Sequence, residues 1–97
     1  MSSMASEGHA LRRDFILRNQ YGMHARPAAM FVKVASRYDA EIFVQKGEAR
    51  VSGKSILGLM TLEAPCGSTI RVSVSGVDAE AALAELENLI NRKFDED

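Results

Sequence analysis

A histidine, an arginine and a proline stand together in Gly22-Met23-His24-Ala25-Arg26-Pro27. Pro27 disfavours helical backbone at Arg26, yet is itself tolerated in the first turn of a helix, where its missing N–H costs nothing. A helix must therefore begin close to this point, with His24 at or just before its N-terminus. The unpaired amides and positive dipole end at such a position favour an anion. A neutral imidazole there is a nitrogen nucleophile, and Arg26 is a permanent cation able to fork onto phosphate oxygens. Gly22 lets the preceding loop bend. Nucleophile, anion hole and charge clamp are the parts needed to take a phosphoryl group onto an imidazole nitrogen and release it again. A surface histidine that opens a helix by chance has the same local sequence, and the hexapeptide alone leaves that alternative open.

Other candidate groups are fewer. Ser55 is a good capping residue before the short apolar run Ile56-Leu57-Gly58-Leu59-Met60. Four apolar side chains are too many for a two-turn helix with one buried face. Ile56, Leu57 and Met60 are therefore expected to form an exposed docking patch beside His24, although all four could still pack inward. A methionine-containing patch ringed by basic side chains suits a protein that serves several partners. The lone Cys66 in Ala64-Pro65-Cys66-Gly67 excludes an intramolecular disulfide and argues for a reducing compartment. No His or Asp stands near it, so a nucleophilic role is not expected, and His9 has no motif around it. No metal site and no cofactor are expected.

The elements that must position these groups follow from periodicity. Leu11 to Arg18 reads as a first strand near 12–18, with its inward face ambiguous because Ile16 breaks the alternation. The spacing predicts a helix over 25–38, with Ala28, Phe31, Val32, Ala35 and Tyr38 on its apolar face. Ala40 to Lys46 and Glu48 to Ser52 flank Gly47 as a hairpin, and Ser55 to Leu62 forms a two-turn helix. Ser68 to Ser75 alternates cleanly, with Ile70, Val72 and Val74 inward. Asp78 is expected to cap a last helix whose apolar set is Ala79, Ala82, Leu83, Leu86, Leu89 and Ile90. The order is βαββαβα: an α+β open-faced β-sandwich, with a four-stranded, mostly antiparallel sheet and three helices on one face. Residues 1–10 read as a flexible tail, 11–94 as one domain, and 95–97 as a frayed acidic end, since its charges oppose the helix dipole.

At 97 residues, 46% hydrophobic and 26% charged, the chain supports one modest core without a deep substrate cavity. That disfavours a large cofactor enzyme and favours a carrier, binder or adaptor. The net charge of −1 is a poor match for nucleic acid. Its distribution is uneven: residues 1–54 hold nine basic and five acidic side chains, residues 55–97 three and eight. The basic half contains His24, which suits an anionic ligand or an acidic partner. The longest apolar run, Ala28 to Val32, is five residues, far short of a membrane span. With no apolar leader segment at the N-terminus, a cytoplasmic protein is expected.

Gly22-Met23-His24-Ala25-Arg26-Pro27-Ala28 resembles the active-site segment of HPr, the histidine-containing phosphocarrier family of the bacterial sugar phosphotransferase system. Val51-Ser52-Gly53-Lys54-Ser55-Ile56-Leu57-Gly58-Leu59-Met60 resembles that family's second signature, around its regulatory serine. The interval of 31 positions from His24 to Ser55 matches the family pattern without a gap, and the resemblance extends over about residues 11–93. It implies that His24 accepts phosphate at Nδ1 from the phosphohistidine of enzyme I, the phosphoenolpyruvate-dependent kinase, and donates it to a histidine of an enzyme IIA domain. Arg26 would neutralise phosphate charge in both transfers. Ser55 would be the target of a dedicated kinase/phosphorylase where a bacterium has one. Such a protein is a monomeric, stoichiometric carrier with a transient phosphohistidine rather than a multiple-turnover enzyme. The alternative is a mainly regulatory HPr-like effector, of a nitrogen-related branch or a serine-phosphorylated corepressor, with little role in sugar uptake. Departures from the pattern are mild: Met23 replaces the usual Ile or Leu, a volume-preserving change, and Gly53 leaves the branch of the system open.

Overall fold

The computed structural model describes residues 10–96. The proposed tail over 1–10 falls outside them except for residue 10, and Asp97 also lies outside. The elements are β1 (Leu11–Ile16), α1 (Ala25–Ala35), β2 (Glu41–Lys46), β3 (Ala49–Ser52), α2 (Ile56–Thr61), β4 (Thr69–Ser75) and α3 (Ala79–Asn91), followed by a single 3-10 turn over Lys93–Asp95. The strands form one sheet in the order β1-β4-β2-β3, and all three pairings are antiparallel. The three helices cover one face, giving the α+β open-faced sandwich expected from the pattern of elements.

Alternation along the central strands builds the sheet side of the core. Ile70, Val72 and Val74 of β4 are buried, and they stand opposite Phe15 of β1 and Val44 and Ile42 of β2 respectively. The ambiguity in β1 resolves in favour of Phe15 and, just beyond the strand, Leu17; Ile16 points to the open face and is 46% exposed. The ladder stops at Ile16, but backbone bonds continue past it: the Leu17 amide donates to Ser68 O at 2.9 Å and the Gly67 amide to Leu17 O at 2.7 Å. These bonds fix where the chain leaves the sheet and enters the loop that carries His24.

Two details of the helices differ from the sequence expectation. α1 ends at Ala35, with Ser36 as its C-cap, and buries Val34 where Val32 was expected; Tyr38 lies beyond the helix and reaches across to Glu85 of α3. Asp78 opens α3, but its side chain makes no cap bond. Its two carboxylate oxygens accept instead from the amides of Asp39 and Ala40, each at 2.8 Å. Asp78 therefore ties the start of α3 to the turn before β2. The six apolar residues expected to line the inner face of α3 are all buried.

The acidic end also departs from expectation. Asp95 belongs to the 3-10 turn, and Glu96 is half-buried with its carboxylate engaged by two side chains. The anchor is Phe94, 1% exposed in the main core. Among the described residues no helix is long and apolar enough to cross a membrane.

Candidate functional site

The loop 19–24 is built around Gly22. Its φ is +65°, and a Cβ there would lie 2.1 Å from Ala64 O, far inside contact distance. That close approach lets the Met23 amide donate to the same carbonyl at 2.8 Å, pinning the residue before His24 to the segment after α2. Met23 itself is buried. Asn19, the one buried polar residue among the described residues, donates from Nδ2 to Gly22 O at 2.7 Å. Glycine, a buried methionine and a buried amide thus deliver His24 to a fixed place.

His24 is the N-cap of α1, in extended backbone, and its side chain makes no cap bond. Its carbonyl accepts the Ala28 amide at 3.0 Å. The usual capping residues spend their side-chain oxygen on a first-turn amide; His24 does not, and Pro27 has no amide to offer. The amides of Ala25 and Arg26 remain, with no carbonyl of a preceding turn to reach. The imidazole is 37% exposed, enough to meet another protein. The Tyr21 ring meets it edge-on, with centroids 5.9 Å apart and an interplanar angle of 89°. Nε2 lies 3.1 Å from Glu96 Oε2, so Nδ1 is the nitrogen left without a partner among the described residues.

Arg26 is exposed, and it lines a shallow depression with Gln20, Tyr21, Asp95 and Glu96. A second depression joins His24 to Tyr21, Met23, Met60 and Pro65. Met60 is thus brought beside His24. Ile56 and Leu57 lie on the same short helix, exposed at 41% and 75%, while Leu59 alone of its apolar residues is fully buried. Ser55 is the N-cap of α2; its Oγ accepts from the Gly58 amide at 2.9 Å. The far end of the helix is closed by Lys46, whose Nζ donates to Glu63 O at 3.0 Å and Leu62 O at 3.4 Å. Gly53, just ahead, is buried, and a Cβ there would lie 2.5 Å from Ile42 Cγ2. Cys66 is exposed, and the described residues contain no group of His, Cys, Asp or Glu side chains able to hold a metal ion.

Asn19, Tyr21 and Glu96 are the site residues that sequence reasoning missed. Asn19 and Tyr21 sit in a loop without periodicity. Glu96 is brought in by a turn whose one sequence signal is Phe94, four residues after Ile90 and past the polar Arg92-Lys93.

The chain matches the family model described as "PTS HPr component phosphorylation site" over residues 11–92. It is 46% identical over 79 residues to the phosphocarrier protein HPr of Treponema pallidum, covering 81% of this chain and 90% of that one. It is 43% identical over 86 residues to the phosphocarrier protein NPr of Shewanella violacea, covering 89% and 94%. Among solved structures, an HPr from Thermoanaerobacter tengcongensis superposes with a TM-score of 0.86 at 39% identity, covering 90% of this chain and 98% of that one.

Proposed function

The chain belongs to the HPr family of the phosphotransferase system, and from that premise we propose that it is a phosphoryl carrier working through His24. Phosphate arrives from the phosphohistidine of enzyme I and leaves for a histidine of an enzyme IIA domain. The observation that carries this reading is the state of His24: an N-cap that caps nothing, partly exposed, with Nε2 engaged at 3.1 Å and Nδ1 free. The amides of Ala25 and Arg26 and the guanidinium of Arg26 supply positive charge for the phosphate oxygens. Their exposure to water keeps that hold weak, as a carrier requires.

Ile56, Leu57 and Met60 receive both partners. The patch lies on the helix whose last turn borders His24, so one surface serves enzyme I and enzyme IIA in turn. Ser55 is the regulatory phosphorylation site, addressed by an HPr kinase/phosphorylase. A phosphate on its Oγ places roughly two negative charges at the edge of that patch and slows the exchange at His24. The working unit is the single domain from residue 11 together with the turn that carries Glu96, acting as a monomer in the cytoplasm.

Incubation with enzyme I and phosphoenolpyruvate should give the protein an acid-labile, base-stable phosphate that enzyme IIA then removes. His24→Ala should take none. Label that persists in His24→Ala, or a wild-type protein that never takes label, contradicts the reading. For Ser55, ATP and the kinase should give an acid-stable label that Ser55→Ala lacks.

A further inference from the structure

The end of the chain reaches the site through backbone that needs a reason. After α3, Lys93, Phe94 and Asp95 all have left-handed φ, at 58°, 54° and 59°. Residues with side chains avoid that region, and a run of three is unusual. Two features hold it: Phe94 sits in the core at 1% exposure, and Arg92 Nε donates to Asp95 Oδ1 at 3.1 Å. The consequence is the placement of Glu96. One carboxylate oxygen lies 3.1 Å from His24 Nε2, and the other accepts from Asn19 Nδ2 at 3.1 Å. The same Asn19 nitrogen donates to Gly22 O, while its Oδ1 is buried with no partner among the described residues. A fully buried amide thus spends its donors on the histidine loop and on the histidine's carboxylate partner, and leaves its acceptor unpaired.

We propose that Glu96 is a positioning residue for His24, holding the imidazole in the tautomer with its proton on Nε2 so that the Nδ1 lone pair is free to accept phosphate. The inference rests on the reading of His24 as the phosphoryl acceptor. A carboxylate oxygen only accepts, so the contact requires N–H at Nε2; the opposite tautomer sets a lone pair against a negative charge. When Nδ1 bonds to phosphorus, the donor's N–P bond breaks and its electron pair returns to the donor ring. The accepting ring keeps its Nε2 proton and gains positive charge, which Glu96 faces directly. An aspartate does the same for the catalytic histidine of serine proteases. On discharge the N–P pair returns to Nδ1, and the Nε2 proton has not moved.

The test is 15N NMR of the full chain labelled at histidine, recorded where the ring is neutral, for the wild type, Glu96→Ala and Glu96→Gln. Backbone amide spectra report that each variant is folded. The Nε2–H tautomer should dominate in the wild type. Glu96→Ala should give a mixture and lower the rate of phosphate acceptance from enzyme I about tenfold, the scale on which loss of a histidine's supporting partner acts. Glu96→Gln offers one acceptor oxygen where the carboxylate uses two, so its tautomer population should lie between those of the wild type and Glu96→Ala. Equal tautomer populations in wild type and Glu96→Ala, or an unchanged acceptance rate in Glu96→Ala, overturns the proposal. A wild-type protein that takes no phosphate overturns the carrier reading instead, and the tautomer populations then decide the role of Glu96 alone.

Discussion

His24 occupies a helix position normally given to serine, threonine, aspartate or asparagine, and the site follows from that substitution. A capping side chain would fill the space in front of the first-turn amides with its own oxygen. Histidine leaves them open and brings a nucleophile to the same spot. Gly22 is the backbone condition for this arrangement, because the turn before His24 presses against Ala64 O. Gly22→Ala combines a left-handed alanine, which costs roughly 1–3 kcal/mol, with a direct collision against backbone. It should lower the thermal midpoint by several degrees and displace the Met23–Ala64 hydrogen bond; an unchanged midpoint and Met23 amide shift would refute the packing described for the loop. The position of His24, Arg26 and Gly22 at the entry to α1 was legible, because helix entry has local rules. Asn19 and Glu96 were not, because a buried amide in a loop and a carboxylate carried past a helix end obey no sequence period.

At the scale of elements, the short α2 is held at both ends, by Ser55 at its start and Lys46 at its finish. A helix so fixed can leave Leu57 three-quarters exposed without fraying. Leu57→Glu should therefore slow transfer from enzyme I at least tenfold, the effect of losing an apolar anchor worth more than about 1 kcal/mol, and leave the unfolding midpoint unchanged. Wild-type transfer rates in that variant would remove the docking patch. A second link joins α1 to α3. The hydrogen bond from Tyr38 holds the Glu85 carboxyl below its usual range, with the positive charge of Arg37 acting in the same direction against partial burial. A carboxylate depressed in the folded state stabilises the fold above its unfolded value, and that contribution is lost as pH falls through the folded one. Glu85→Gln should therefore flatten the acid limb of the stability curve, below about pH 4.5, and equal acid slopes in chemical denaturation would contradict it. Helix and strand types were readable chiefly from β4 and α3, whose buried faces repeat with a clean period. The misplaced details, Val34 for Val32 and the carboxylate of Asp78 turned toward residues 39 and 40, are choices made by the neighbouring element, which a single segment does not encode.

The whole molecule explains why the site is shallow. The described residues spend most of their apolar side chains on one core between a sheet and three helices, with no enclosed chamber among them beside His24. The depressions around it open to solvent, bordered by Tyr21 and Met60 on one side and by Arg26 and Glu96 on the other. An exposed imidazole suits the carrier proposed above, which would present the same side chain to two partners in turn. The strand order β1-β4-β2-β3 comes from the structure alone, but the architecture was legible from the order of elements, since few topologies accommodate βαββαβα around a single antiparallel sheet. The closure of the site by its own C-terminal turn was not. It depends on a left-handed run of non-glycine residues that local propensity argues against and that burial of Phe94 holds in place. The central claim concerns one atom, and intact-protein mass spectrometry after reaction with enzyme I and phosphoenolpyruvate tests it most directly. The wild type should gain a single phosphoryl group that maps to His24, is lost in acid and is absent in His24→Ala; a phosphoryl group on any other residue, or none at all, contradicts it.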